Sequence, residues 1–363
     1  MIFKEVKGLN KPSVWQYLKN TDLPIIMYGT GNGADKILDN FIKFGISIHG
    51  IMASSGFVRD REFRGYKVHS IEYFEEELEE FIVVIAFGSN RPEVLENIKN
   101  ISQNHKVLVP SVQVCGTDIF DEAFAKVHGE ELKKAYSLIE DGFSKEVYKN
   151  YAEFLYTGEI HYLEAIETPE NEAYESILQL QKDETFIDIG AFKGDTVEKF
   201  LEYTNGSYKN IVAVEPDKKT FNKLLKNCEN LDNFKPLNVA VTDVDGTSLF
   251  SSGGGRQSSV LGVVTKGVAD CDTSVATMSL KSVCEGVTPT FIKIDSEGYE
   301  QQILEGGKEV LKKYKPKMNI AAYHKNEDIF KLPILLKEIN PDYKIYLRHH
   351  PYIPGWDTIF YVR

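Results

Sequence analysis

The sequence predicts two α/β domains, each a mostly parallel sheet with helices on its faces, joined by a helical segment. Its 363 residues exceed what one hydrophobic core usually serves. Short apolar runs alternate with helix-period segments in two separate series, and parallel strands need such crossovers. A glycine-rich turn follows the first apolar run of each series.

The first series opens after a short polar helix near residues 12–20. The run PIIMYGTGNGADKILDNFIKF (24–44) reads as a buried strand, a glycine turn and a helix. SIHGIMAS (47–54), YKVHS (66–70), FIVVIAFG (81–88) and HKVLVP (105–110) supply four further strands, so a Rossmann-like domain is expected over 1–118. Residues 119–181 change to helical period and are expected to form a bridge and lid, with Thr168-Pro169-Glu170 marking a helix start. The second series, 182–363, holds TFIDIGAFKGDT (185–196), NIVAVEPD (210–217), FKPLNVAVTD (234–243), FIKIDSEG (291–298), KMNIAAYH (317–324), YKIYLRHH (343–350) and DTIFYVR (357–363). That makes seven strands. Only PYIPGW separates the last two, so the final strand must run antiparallel beside its neighbours. A Ser/Gly stretch, SSGGGRQSSV (251–260), interrupts the series as an expected loop or lid.

The composition is that of a folded soluble chain, with 42% hydrophobic and 26% charged residues. A net charge of -12 works against nucleic acid as partner, since phosphate contacts need clustered Lys and Arg. No apolar run approaches the about 18 residues of a membrane span, and MIFKEVKGLNKPSVW lacks a signal core, so a cytoplasmic location is expected. The four cysteines, Cys115, Cys228, Cys271 and Cys284, have no C-x-x-C spacing and read as reduced packing residues.

Ligands of an open parallel sheet bind beyond the carboxyl ends of the strands, where the strand order changes direction. There the second series carries Asp188, Gly190, Ala191, Phe192 and Gly194, a turn whose absent or small side chains let a ligand lie against backbone. Asp195 and Thr196 open the next helix, whose free amides favour a carboxylate, while Asp188 or Asp195 is available to an ammonium. Glu215, followed by Pro216, ends the second strand, where an acid can accept both hydroxyls of a ribose. Asn238, Ala240 and Val241 after the third strand are expected to face an adenine. Taken singly, these glycines cap a strand and Glu215 is a solvated loop acid; three strand-end features at these intervals argue for a nucleotide. The acid before the glycines, and the lack of a full G-x-G-x-x-G, favour S-adenosylmethionine (SAM) over NAD.

Together FIDIGAFKGDT, VAVEPD, NVAV, FIKIDSEGYEQQILEGG, AAYHKNEDIF and YLRHH resemble the FkbM-type methyltransferase family, over roughly residues 180–363. The resemblance implies a seven-stranded methyltransferase sheet, SAM as donor, and O-methylation of a hydroxyl on a sugar, glycan or secondary metabolite, as in polysaccharide biosynthesis. The sequence departs from the family at Leu280-Lys281, where L-D is usual, and no site residue is drawn from there.

Methyl transfer requires the acceptor oxygen to be aligned and its proton removed. Asp295 ends the fourth strand, with Lys293 and Glu297 beside it, and Tyr323 and His324 end the fifth. His324 is expected as general base with a near-neutral pKa, oriented by Asp295. Asp295, Glu297 and His324 are alternatively candidate ligands of a divalent cation that acidifies the acceptor hydroxyl. The bland reading makes Asp295 a helix cap and His324 a packed polar residue. Glu300 is expected to stabilise a helix's first turn, and Arg348, His349 and His350 to line the entrance or form surface pairs.

The first domain's YGTGNGA (28–34) permits a phosphate at its turn, but its second strand ends in Met52 and Ala53 rather than a ribose acid. Arg59, Arg61 and Arg64 are candidate phosphate grips or solvated side chains. A two-domain NAD-dependent oxidoreductase or epimerase, and a non-catalytic nucleotide-binding protein, are the competing functional classes.

Overall fold

Strands with both faces covered by helices are mostly apolar, and the central strands of both sheets are so apart from buried Thr185, Asp188 and Lys293. The computed structural model describes residues 11–54, 56, 58, 62–251, 259–261 and 272–363. It divides into two units. The first comprises the described residues of Met1–Lys133, with Lys145–Thr168 and His349–Asp357; the second is Lys134–Ser144, Pro169–Arg348 and Thr358–Arg363.

In the first unit β1 (Ile25–Tyr28), β2 (Gly50–Met52), β3 (Glu62–Phe63), β4 (Tyr66–His69), β5 (Ile82–Ile85) and β6 (Lys106–Leu108) lie in the order β3-β4-β2-β1-β5-β6. All pairings are parallel except β3 with β4. The β3–β4 hairpin was not expected, because two residues make no apolar run; its signal is Arg64-Gly65, both at positive φ, as a two-residue hairpin turn requires. Gly33 lets the helix Asn32–Phe44 pack on the sheet, since a Cβ there would lie 2.4 Å from the Ala86 carbonyl oxygen.

The second unit holds β7 (Thr185–Ile189), β8 (Asn210–Val214), β9 (Phe234–Leu237), β10 (Ala240–Thr242), β11 (Gly246–Ser251), β12 (Ser259–Leu261), β13 (Asp272–Ser279), β14 (Phe291–Ile294), β15 (Lys317–Ala321), β16 (Ile345–His349) and β17 (Thr358–Val362). Seven of them form one sheet in the order β16-β17-β15-β14-β7-β8-β9, with β17 antiparallel to β15, as the short PYIPGW connection demands. Strand order reverses between β7 and β14, which puts the crevice at their carboxyl ends. Phe186 and Phe291 stack at 4.9 Å between centroids, and Phe200 lies 4.5 Å from Phe186, so the helix Asp195–Tyr203 is anchored to both central strands.

Three expectations are corrected. The run 234–243 is not one strand: it breaks after Leu237, and β10 joins β13, β11 and β12 in a separate four-stranded sheet. That sheet escaped notice because its strands, GTSLFS and DTSVATMS, are polar and read as loop. The Ser/Gly stretch lies largely outside the described residues. Finally, 119–181 is no separate bridge and the boundaries 1–118, 119–181 and 182–363 are redrawn, because its buried side chains join cores. Tyr174, Ile177 and Leu178 pack with Phe186 and Phe291, while Tyr148 is fully buried in the first unit and donates to the Leu132 carbonyl. Residues 349–357 belong to the first unit too, through the Ser89–Ile353 bridge.

Candidate active site

The turn after β7 is built on glycine. Gly190 has φ +82°, and a Cβ on it would sit 1.9 Å from the Asp295 carbonyl oxygen, so the β7 and β14 termini meet main chain to main chain. Gly194, at φ +94°, is the N-cap of the helix Asp195–Tyr203 and rests over Cys228 and Leu224. Phe192 between them is also left-handed, at φ +48°. A non-glycine residue in that region costs about 1 kcal/mol or more and persists only when its surroundings hold it. Its holder is Glu215, whose Oε2 accepts from Phe192 N at 3.0 Å while Oε1 accepts from Asp217 N at 2.8 Å. Glu215 is 7% exposed, and burial pushes its pKa up to about 7 despite those two donors. Asn238 donates to the carbonyls of Glu215 and Pro216, fixing the loop after β8. Ala240 and Val241 are buried strand residues of β10, opposite Thr277 and Met278.

Asp188 stands behind the turn, fully buried. Its Oδ2 accepts from the Thr196 hydroxyl at 2.6 Å, while Oδ1 has no hydrogen-bond partner and lies 3.7 Å from Lys293 Nζ. Burial raises the carboxyl's pKa, against the pull of Lys293 and Thr196. Asp195, half-buried at the start of the helix, is the more open of the two acids. Lys293 donates to the Gly190 carbonyl at 3.2 Å and lies 3.5 Å from Asp295 Oδ2. Burial disfavours its charge, but Asp295, Asp188 and Asp195 outweigh that and its pKa is raised.

On the other side of Asp295, the β14 and β15 termini converge as their register requires, with Ile294 beside Ile320. Tyr323 donates to Asp295 Oδ1 at 3.3 Å, and His324 Nε2 lies 3.5 Å from the same oxygen and 3.8 Å from Glu297 Oε2. The carboxylate that orients His324 is not Asp295 but Glu300, whose Oε1 is 2.9 Å from Nδ1. That oxygen also accepts from Ser296 N at 2.8 Å, Ser296 Oγ at 3.0 Å and Gly298 N at 3.4 Å, curling the loop around itself with Glu297 at φ +51°. Glu300, in the first turn of the helix Glu300–Gly306, thus ties the amides ahead of that helix to His324 as a hub.

The expectation of a near-neutral His324 is overturned. Burial alone lowers an imidazole pKa, but contact with Glu300, supported by Asp295 and Glu297, holds this one up to about 10. At neutral pH the ring is a cation with no lone pair for a proton. Glu300 is correspondingly held down at about 2. Among the described residues no group of three or more His, Cys, Asp or Glu is arranged to hold a metal ion.

Arg348, His349 and His350 are buried, at 5%, 0% and 3% exposure, not surface groups. Arg348 Nε bonds Glu172 Oε2 at 2.8 Å, and burial pushes His349 down to about 3. In the first unit Arg64 pairs with Asp35 and Asp39 at 2.7 and 3.2 Å and is no free phosphate grip, whereas Arg59 and Arg61 lie outside the described residues. A pocket of about 420 Å³ bounded by Asn210, Asp232, Asn233 and Lys235 sits at the amino ends of β8 and β9, the edge opposite the crevice, and has no part in the site. Lys293 stands beside Asp295 as expected, whereas the contact of Glu300 with His324 is what the sequence reading missed.

A doubly wound seven-stranded sheet with an antiparallel β17, a glycine turn and a strand-end acid defines the class of SAM-dependent methyltransferases. Residues 188–353 match the model of the methyltransferase FkbM domain. A search of curated proteins finds no match. Among solved structures, the methyltransferase FkbM from Methylobacillus flagellatus KT is similar over 94% of this chain and 90% of its own, with 19% identity and a TM-score of 0.71, a likeness of fold. A putative rRNA methylase from Clostridium thermocellum, at 8% identity, covers 54% of this chain and 95% of its own, with a TM-score of 0.36, too low to carry an argument. Among the described residues no helix is long and apolar enough to cross a membrane.

Proposed function

We propose that the protein transfers a methyl group from SAM to a hydroxyl of a sugar, glycan or related polyhydroxylated metabolite, with Asp295 as the proton acceptor. One observation carries the reading: Glu215 bonds the turn at Phe192, and Gly190 of that same turn lies against Asp295, so donor and acceptor groups share one crevice. The residues fit an adenosyl ligand. The Glu215 carboxylate has lone pairs left for the ribose hydroxyls beyond its two backbone donors. The glycine turn and the amides of Asp195 and Thr196 suit the methionine carboxylate, and half-buried Asp195, rather than enclosed Asp188, suits its ammonium. Bound there, SAM supplies an electrophilic methyl group on a sulfonium.

Asp295, with a side chain 35% exposed, faces the crevice as an oxygen acceptor. It takes the acceptor's proton as the new O–C bond forms and the S–C bond breaks. Tyr323, Lys293 and His324 fix it from both sides, so the carboxylate is pre-oriented before an acceptor arrives. His324, already protonated, contributes charge and not proton uptake. The sugar-like acceptor rests on the family resemblance and on the carboxylates of Asp295 and Glu297, which accept hydrogen bonds from hydroxyls.

Calorimetric titration with SAM, S-adenosylhomocysteine and NAD tests the cofactor. Binding of both sulfur nucleosides without NAD is expected; NAD alone would overturn the proposal. Mass spectrometry with methyl-deuterated SAM and a glycan panel then identifies the methylated oxygen.

A further inference from the structure

We infer that the helix Lys218–Asn227, with Lys193 beside it, forms a docking surface for an anionic phospholipid bilayer, held peripherally and not spanned. The helix, KKTFNKLLKN, carries four lysines and no acid. Thr220 and Leu224 face the core, while Lys218, Lys219, Lys223 and Lys226 are exposed. Asn227 donates to the Lys193 carbonyl at 2.8 Å, which brings a fifth exposed lysine to the end of the same helix.

The arrangement works against the helix itself. Lys219 and Lys223 stand at i,i+4 and Lys223 and Lys226 at i,i+3, where like charges destabilise. Acids are abundant in a chain of net charge -12, yet none sits on this helix. Some exposed lysines elsewhere, Lys199, Lys281 and Lys315 among them, contact a carboxylate, while others such as Lys312 and Lys313 do not; what sets this helix apart is that four such lysines share one short face. Among the described residues, none of the five lysines here makes an ion pair. Uncompensated like charge on a helix face is what an anionic partner would repay.

The patch also selects among anionic partners. It contains no Arg, which recognises nucleic acid bidentately, and the rest of the chain repels a long polyanion. Leu225, 39% exposed, lies among the lysines, giving the mixed cationic and apolar face that suits a headgroup layer. The helix starts three residues after Glu215, which bonds the turn at Phe192, so docking would bring the edge of the crevice to the membrane, where a lipid-carried acceptor would lie.

The experiment is co-sedimentation of the full chain with vesicles of phosphatidylcholine containing about 30 mol% phosphatidylglycerol. Binding is expected at about 0.1 M salt and its loss at about 0.5 M, with none to pure phosphatidylcholine. Replacing Lys218, Lys219, Lys223 and Lys226 together by Gln should weaken binding at least roughly tenfold, whereas Lys312→Gln with Lys313→Gln should not. No binding of the parent, equal binding of the fourfold variant, or equal loss in the control pair each overturns the inference. S-adenosylhomocysteine affinity, measured on the same samples, stays unchanged throughout; its absence in the parent would instead refute the methyltransferase reading.

Discussion

Glu300 Oε1 and His324 Nδ1 lie 2.9 Å apart with both side chains essentially out of solvent, at 0% and 1% exposure. A buried pair of this kind is costly to break from one side, because the survivor is left charged without a partner. Glu300→Gln should therefore lower stability by about 3–5 kcal/mol, measured by urea denaturation. A loss below about 1 kcal/mol would show that the two groups are not an ion pair.

The same pair sets a pH window. His324, raised from 6.5 to about 10, gives stability that is complete below pH 6.5 and lost as pH rises through 10. Glu300, lowered from 4.5 to about 2, gives stability present above pH 4.5 and lost as pH falls through 2. Buried Asp328, raised from 3.8 to about 8, gives stability that is complete below pH 3.8 and lost as pH rises through 8, since its neutral form is the favoured one. Thermal melts should accordingly peak near pH 4.5 and fall towards 10, more steeply above 6.5 where the His324 loss joins that of Asp328, and Glu300→Gln should flatten the limb above 6.5.

Cofactor affinity should depend on Glu215. Its pKa of about 7 means that the free protein holds a partly protonated acid where ribose hydroxyls need an acceptor. Calorimetry with S-adenosylhomocysteine should show affinity rising as pH goes from 6 to 8 and levelling above. Glu215→Gln should remove that dependence and weaken binding about 10- to 100-fold, the worth of hydrogen bonds to a charged group. A flat profile in the parent would exclude Glu215 from the ribose.

The two glycines of the turn should differ in tolerance. Gly190→Ala forces a methyl group into the Asp295 carbonyl and should prevent cofactor binding or folding outright. Gly194→Ala meets Cys228 Sγ at 3.0 Å, a softer neighbour, and should cost about 1–3 kcal/mol in denaturant titration. Equal effects would show that the close approach at Gly190 is absent.

For the reaction, Asp295→Asn should reduce kcat about 100-fold or more while S-adenosylhomocysteine binds within about threefold of the parent. If His324→Gln instead abolished turnover and Asp295→Asn did not, the proton acceptor would be the histidine.

Much of this was legible because parallel strands announce themselves as apolar runs: β7, β8, β14 and β15 fall inside the expected segments. Strand-end residues follow from that, so Asp188, Gly190, Glu215, Asp295 and His324 could be placed at one edge before any coordinates. What failed depends on where a side chain turns. Glu300 at a helix start looks the same whether it faces water or a histidine 24 positions on, and only its burial makes it the hub. The ionisation of His324 follows from that burial and was equally out of reach. Arg348, His349 and His350 read as an entrance because nothing local reveals that β16 runs into a covered interior. Polar β11 and β13 had no periodic signal strong enough to separate them from loop.

The contact between the Gly190 turn and the Asp295 carbonyl fixes, in the main chain itself, how far the glycine turn lies from the strand end that carries Asp295. Side-chain changes around the rim can alter which molecule enters, but under the proposed reaction they leave the distance from turn to proton acceptor as it is. Diversification of this protein towards new acceptors would thus be confined to the loops around a reaction distance that every variant inherits.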